Sequence, residues 1–238
     1  MSLIISAGTL GSLAMPGFCP RCFWIKLKCE KLPFQIPMPG IFSSIDSYVK
    51  NVVRRYHEKE GKLPDWFPYL GEVINLAEVP SYQRYAVTEP KSGVTIRGTP
   101  DDVLELKDGS FHIIDYKTAR LTAAQGGLFP MYEVQLNAYA YIGNRTYFSP
   151  VSLLSLIYME PDTNWTSDPD LLSRSEDCLM LGFTPKVKSV EIKPDHFIEG
   201  LLQRASKING EEAPPQHTHT CQDYELLERL IEIATLGS

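Results

Sequence analysis

The chain has 238 residues, a formal net charge of −6, 43% hydrophobic and 22% charged residues. That length holds one sizeable α/β core, and those proportions exclude a largely disordered chain. The acidic balance excludes nucleic-acid binding through total charge, so a phosphate-binding surface has to be a local patch or one whose carboxylates hold cations.

No apolar run reaches the roughly 18 to 20 residues of a membrane span. Met1 to Ala14 lacks the basic start of a secretory signal, and the expected location is the cytoplasm. The five cysteines are an odd number in a chain too large to need staples. They point to free thiols or metal ligation rather than a disulfide framework.

We read 1–238 as one domain in three stretches. Residues 18–40, rich in cysteine, aromatics, lysine and proline, suit an irregular lobe. In the core, 41–160, Ile45, Val49, Val52, Val53 and Tyr56 recur at helical spacing, with Ser43 or Ser44 as cap and an end near Gly61. After a Pro- and Trp-rich loop, Tyr82 to Val87, Val94 to Glu105 and Ser110 to Asp115 read as an antiparallel meander, its last turn at Lys107-Asp108-Gly109. Met131 to Ile142 reads as a helix and Val151 to Met159 as a buried strand. The remainder, 186–238, is expected to give a strand over Val187 to Ile192 and a helix opening at Pro194-Asp195 and running to about Lys207. This order predicts an α/β fold with a central mixed sheet flanked by helices.

The chemistry-bearing residues lie around the hairpin. Pairing its strands brings Asp101 and Asp115 to one end of the sheet, where two carboxylates repel each other unless a hard cation such as Mg²⁺ or Mn²⁺ sits between them. Lys117, two residues after Asp115, shares its face and can orient a water and stabilise charge on a phosphate. Gln135 and Tyr139 are four apart on the next helix, so they share a face from which they could contact DNA.

The series Gly98-x-Pro-Asp101, Asp115-Tyr116-Lys117-Thr118 and Gln135-x-x-x-Tyr139 resembles the RecB-like branch of the PD-(D/E)XK nucleases, which includes CRISPR-associated exonucleases bearing an iron–sulfur cluster. The segment Cys19-Pro20-Arg21-Cys22-Phe23-Trp24 is similar to one before the first helix in such proteins. The resemblance implies a restriction-endonuclease-like core and metal-dependent phosphodiester hydrolysis of DNA, in exonuclease or repair work. It implies Asp101, Asp115 and the Tyr116 carbonyl as ligands, Lys117 as catalytic lysine and Gln135 and Tyr139 on the substrate side. The family's first-helix ligand, a Glu or His, falls here nearest Asp46, with His57 as second candidate. DNA with single-stranded character or free ends is the implied partner, with a helicase or a repair or defence assembly beside it.

Cys19, Cys22, Cys29 and Cys221 are candidate ligands for an iron–sulfur cluster or zinc, with His217 and His219 as alternatives. Lys26, Lys28 and Lys31 interleave with Phe23, Trp24 and Phe34, either as a platform for a single strand or as a surface around a small core. Two rival readings stand beside the nuclease. One is a non-catalytic nucleic-acid-binding or assembly module that keeps the fold; the other is a cysteine-based metal domain with a structural role only.

Overall fold

The computed structural model describes residues 3–29, 39–122, 126–163, 181–219 and 221–236. Its strands are β1 (Ile4–Ser6), β2 (Val73–Ala77), β3 (Ala86–Thr88), β4 (Thr95–Arg97), β5 (Asp102–Leu106), β6 (Phe111–Lys117), β7 (Val151–Pro161) and β8 (Phe183–Val190). The helices are α1 (Ala7–Gly11), α2 (Pro20–Lys28), α3 (Gly40–Glu60), α4 (Phe129–Gly143), α5 (Asp195–Gly210) and α6 (Gln222–Thr235). The central sheet has the order β2-β5-β6-β7-β8, and β1-β4-β3 form a smaller sheet. In the central sheet β6 and β7 pair in parallel across the α4 connection, and the other neighbours are antiparallel. This is the expected α/β arrangement of a mixed sheet between helices.

The pleat gives the central sheet two different faces. One face carries Val103, Ile113, Leu154, Leu156 and Tyr158 and packs with Val134, Leu136 and Ala138 of α4 and Ile198 and Leu202 of α5. The opposite face carries Leu104, Ile114, Tyr116, Ile157 and Met159 and is covered by Val49 and Val53 of α3 together with Phe67 and Leu70. Each apolar residue buried on either face contributes on the order of 1.5–3 kcal/mol.

Several sequence expectations shift. The single strand expected over Val94 to Glu105 is two strands in two sheets, because Pro100 has no N–H to give a ladder and the chain leaves one sheet for the other at Gly98-Thr99-Pro100. The expected meander is therefore two separate antiparallel pairs, β3–β4 and β5–β6. The edge partner of β5 is β2, from the stretch read as loop. Neither Ser43 nor Ser44 caps α3: its N-cap is Pro39, and Ser44 turns its hydroxyl back to the Gly40 carbonyl. At its other end Gly61 adopts φ 69°, the left-handed close that favours glycine.

In the expected irregular lobe, Pro20 at the first turn and Lys26 and Lys28 in the last turn favour the regular helix α2. It does not present a stacking platform. Phe23 is buried in the core, Trp24 donates its indole N–H to the Glu211 carbonyl and Lys28 its ammonium to the Asn209 carbonyl, both at the end of α5. Lys31 and Phe34 lie outside the described residues.

One polar contact fastens α3 to the sheet. Asp102, 1% exposed, accepts from Arg54 Nε at 2.8 Å and from the Tyr116 hydroxyl at 3.1 Å, and Arg54 Nη2 reaches the Asp101 carbonyl at 3.1 Å. Burial raises the Asp102 pKa despite the guanidinium. Removing Arg54 strands a buried carboxylate, so Arg54→Ala is expected to lower stability by about 2–4 kcal/mol in chemical denaturation. Adding Asp102→Asn should recover more than half of that loss. Equal losses in the single and double variants would show that the charge pair does not hold α3.

Candidate active site

The hairpin register sets the site. Asp102 faces Ile114 across the β5–β6 ladder, so Asp101, one residue before the strand, comes opposite Asp115. Gly109, at φ 82°, closes the Lys107-Asp108-Gly109 turn, and the Asp108 carboxylate accepts from the Ser110 N–H at 2.9 Å. By the pleat, Asp101, Asp115 and Lys117 lie on the α4 face, while Asp102 and Tyr116 lie on the α3 face. The structure thus brings together Asp101, Asp115 and Lys117, the first three residues named from the sequence.

The contacts are dense. Asp101 Oδ2 accepts from the Tyr116 backbone N–H at 2.7 Å, and its Oδ1 pairs with the Lys50 ammonium at 2.6 Å. Lys117 pairs with Asp115 Oδ2 and lies 4.2 Å from the Tyr132 ring centroid. Apart from this ion pair, Asp115 Oδ2 is buried without a hydrogen-bond donor. On the other oxygen, Asp115 accepts from the Gln135 amide at 3.3 Å, and Gln135 also donates to the Tyr139 hydroxyl at 2.8 Å. Tyr139 is buried, and its ring occupies the space over Gly98, where an added Cβ would stand 2.3 Å from Cε1. That close approach is why glycine stands three residues before Asp101.

Asp46 reaches the group through Lys50, whose ammonium pairs with it at 2.6 Å as well. Asp46, Lys50 and Arg54 follow at four-residue intervals along one side of α3. His57 stands about 16 Å further along the helix axis than Asp46, and no contact joins it to the carboxylates among the described residues. The sequence reading did not single out Lys50, Arg54, Asp102 or Tyr132. Lys50 was signalled by its i+4 relation to Asp46, and Tyr132 by extending the Gln135–Tyr139 face three residues back.

A groove of about 380 Å³ opens beside the cluster, lined by Phe42, Ser43, Asp46, Lys117, Thr118 and Tyr132. A larger hollow of about 460 Å³ at Tyr69, His112, Ser155 and Val190 holds none of the carboxylates. His112 there bonds Ser155 Oγ at 2.9 Å and the Leu70 carbonyl at 3.1 Å, and burial lowers its pKa. With a carbonyl rather than a carboxylate behind the imidazole, this pair reads as core packing.

Burial raises the Asp115 pKa to about 6, opposed by Lys117 and reinforced by Asp101. Burial and the Asp115 charge also raise Tyr139, which keeps its hydroxyl protonated. Two carboxylates, one with an undirected buried oxygen, and a neighbouring strand carbonyl at Tyr116 are a donor set that fits a hard divalent cation.

Elsewhere, Cys19, Cys22 and Cys221 lie with their ligand atoms within 4.8 Å of one another, whereas Cys29 is exposed at the end of α2 and stands apart. Burial alone would raise Cys19. N–H donors at Cys22 and Thr218 and the two neighbouring thiols outweigh it and bring Cys19 down to about 7, while burial and the other two thiols push Cys22 up. Among the described residues no helix is long and apolar enough to cross a membrane.

Paired carboxylates and a lysine thus stand at the ends of adjacent strands, on the crossover-helix face of a mixed sheet. Over residues 32–224 the sequence matches the PD-(D/E)XK nuclease superfamily, and the chain belongs to that superfamily. Among solved structures it is similar to an alkaline exonuclease (LHK-Exo) from Laribacter hongkongensis, at 11% identity over 98% of this chain and 95% of that one, with a TM-score of 0.43. It is similar to LHK-Exo in complex with dAMP at 12% identity, over 97% and 94%, with a TM-score of 0.42. SSO0001 is similar at 10% identity, over 90% and 79%, with a TM-score of 0.42. No curated protein matches the chain, and the family assignment rests on the sequence match.

The raised Asp115 pKa has a definite sign. The folded protein holds this proton more tightly than the unfolded chain, whose carboxyl titrates at the usual 3.8. Its contribution to stability is therefore full below about pH 4 and lost as pH rises through about 6. At pH 8 without cations, Asp115→Asn should be more stable than the wild type by about 1–3 kcal/mol, a gap that closes by pH 4. Mg²⁺ should stabilise the wild type alone. Denaturation at both pH values checks this, and identical curves for the two proteins would refute it.

Proposed function

We propose that this protein is a divalent-cation-dependent deoxyribonuclease acting on DNA ends or single-stranded DNA. The observation that carries the reading is the placement of Asp101, Asp115 and Lys117 on one face at the open end of β5 and β6. Asp101, Asp115 and the Tyr116 carbonyl would hold Mg²⁺ or Mn²⁺. When bound, that cation would supply an activated water and a counter-charge for the phosphate.

The chain's own residues do the positioning. Lys117, paired with Asp115 on the site face, orients the attacking water and neutralises charge on the phosphate oxygens. Lys50, between Asp46 and Asp101, holds the two carboxylates in reach of each other and offers positive charge to a neighbouring phosphate. Gln135 fixes the orientation of Asp115 and is itself held by the Tyr139 hydroxyl, so Tyr139 acts on the substrate side through Gln135. Asp46 borders the groove, where it can receive a water-bridged cation. His57, so far along α3, is left without a part.

Aromatic side chains support the preference for unpaired DNA. Phe42 of α3 is exposed, and Phe42 and Tyr132 line the groove. Flat rings at the mouth of an acidic site suit stacked bases of a single strand, each such contact contributing about 1–3 kcal/mol. The free thiols fit a reducing compartment, the cytoplasm.

The test is cleavage of end-labelled single-stranded and duplex DNA with Mg²⁺ or Mn²⁺. Wild type should cut, and Lys117→Ala and Asp115→Ala should each lose about 10²-fold or more of the rate while still folding. Wild-type protein that retains DNA in a gel shift but cuts no substrate would leave a binding module built on a nuclease fold. Variants that cut as fast as wild type would move the chemistry elsewhere.

A further inference from the structure

The thiols where the two ends of the chain meet have no part in the chemistry above. Cys19 is the N-cap of α2, Cys22 lies in its first turn, and Cys221 is the N-cap of α6. Their sulfurs all lie within 4.8 Å of one another, Cys22 and Cys221 at 3.5 Å across a sequence separation of 199. None is in a disulfide. Packing alone does not ask three thiols to converge on one point, because S–H groups bond weakly and apolar side chains would fill the space better.

The spacing selects the ligand. Thiolates on one tetrahedral zinc, at Zn–S of about 2.3 Å, stand about 3.8 Å apart. A [4Fe–4S] cluster takes each thiolate on its own iron and a [2Fe–2S] cluster takes two on each of two irons, so either sets at least one of three sulfurs farther off than the ligands of a single ion. The N-terminal ends of α2 and α6 meet at the three sulfurs.

We propose that Cys19, Cys22 and Cys221 bind one zinc ion, with His219 as fourth ligand, and that this ion fastens α2 to α6. Of the two nearby imidazoles, His217 is stacked on Tyr224 with ring centroids 4.3 Å apart. His219, exposed and two residues before Cys221, meets the His217 ring edge-on with centroids 5.9 Å apart, and as a ligand it would turn from that contact toward the sulfurs. A staple is useful here because the local core is thin, holding Cys19, Cys221 and Tyr224 with Cys22 and Leu227 against them. Arg21 adds bonds to the Pro215 carbonyl and the Tyr224 hydroxyl.

The test is elemental analysis and thiol titration of the full chain purified without chelators. About one zinc per chain, with neither iron nor acid-labile sulfide, is expected. Cys19→Ser and Cys221→Ser should fall below a tenth of that content, and Cys29→Ser should retain it. Should those serine variants fail to fold, wild type loaded with Co²⁺ in place of zinc should still show thiolate-to-metal charge transfer and tetrahedral d–d bands. His219→Ala should weaken zinc binding tenfold or more, and unchanged binding would remove it as a ligand. Iron with sulfide, a Cys22–Cys221 disulfide, absence of bound metal, or equal zinc loss in Cys29→Ser would each overturn the proposal. Metal content is read without any cleavage assay, so this result and the nuclease reading stand or fall separately.

Discussion

Two carboxylates cannot stand together at the end of a sheet, one of them 3% exposed, unless positive charge is held against them. Asp101 and Asp115 meet that constraint with two lysines from different elements, Lys50 of α3 and Lys117 of β6. Gln135 of α4 adds a neutral donor. A cation bound between the carboxylates would take over the charge now supplied by the ammonium groups. On the proposed function, Lys50 and Lys117 would then be available to a phosphate.

The pleat of β5 and β6 makes that arrangement compatible with a stable core. Neighbours in sequence serve opposite faces: Asp101 turns to the site and Asp102 to Arg54, while Asp115 turns to Gln135 and Tyr116 to Asp102. One side of α3 serves both, with Lys50 reaching round the end of the sheet to Asp101 and Arg54, one turn on, gripping Asp102. A shift of one residue in the β5–β6 register would exchange the two sets and bury the site against α3. The turn at Gly109, the glycine at 98 and the proline at 100 all act to keep that register.

Much of this was legible from the sequence because the signals are local. The Asp-Gly turn, the two-residue step from Asp115 to Lys117 and the four-residue step from Gln135 to Tyr139 each encode geometry within a few residues. What was not legible depends on partners distant in sequence. β2 lacks clean alternation because its register against β5 shifts between Val73 and Asn75, and the break in the strand at Pro100 only makes sense once β1 and β2 claim the two halves. The part of Asp102 depends on Arg54, 48 residues away in sequence. Cys29 looked equivalent to Cys19 and Cys22, yet the end of α2 carries it away from them.

The central claim, that Asp101 and Asp115 with the Tyr116 carbonyl form a divalent-cation site, is tested most directly by anomalous diffraction from crystals grown with Mn²⁺. The account predicts a manganese peak bonded to both carboxylates and that carbonyl, with the Lys117 ammonium moved off Asp115. A fully occupied manganese elsewhere, with Lys117 still paired to Asp115 and nothing between the two carboxylates, would contradict it.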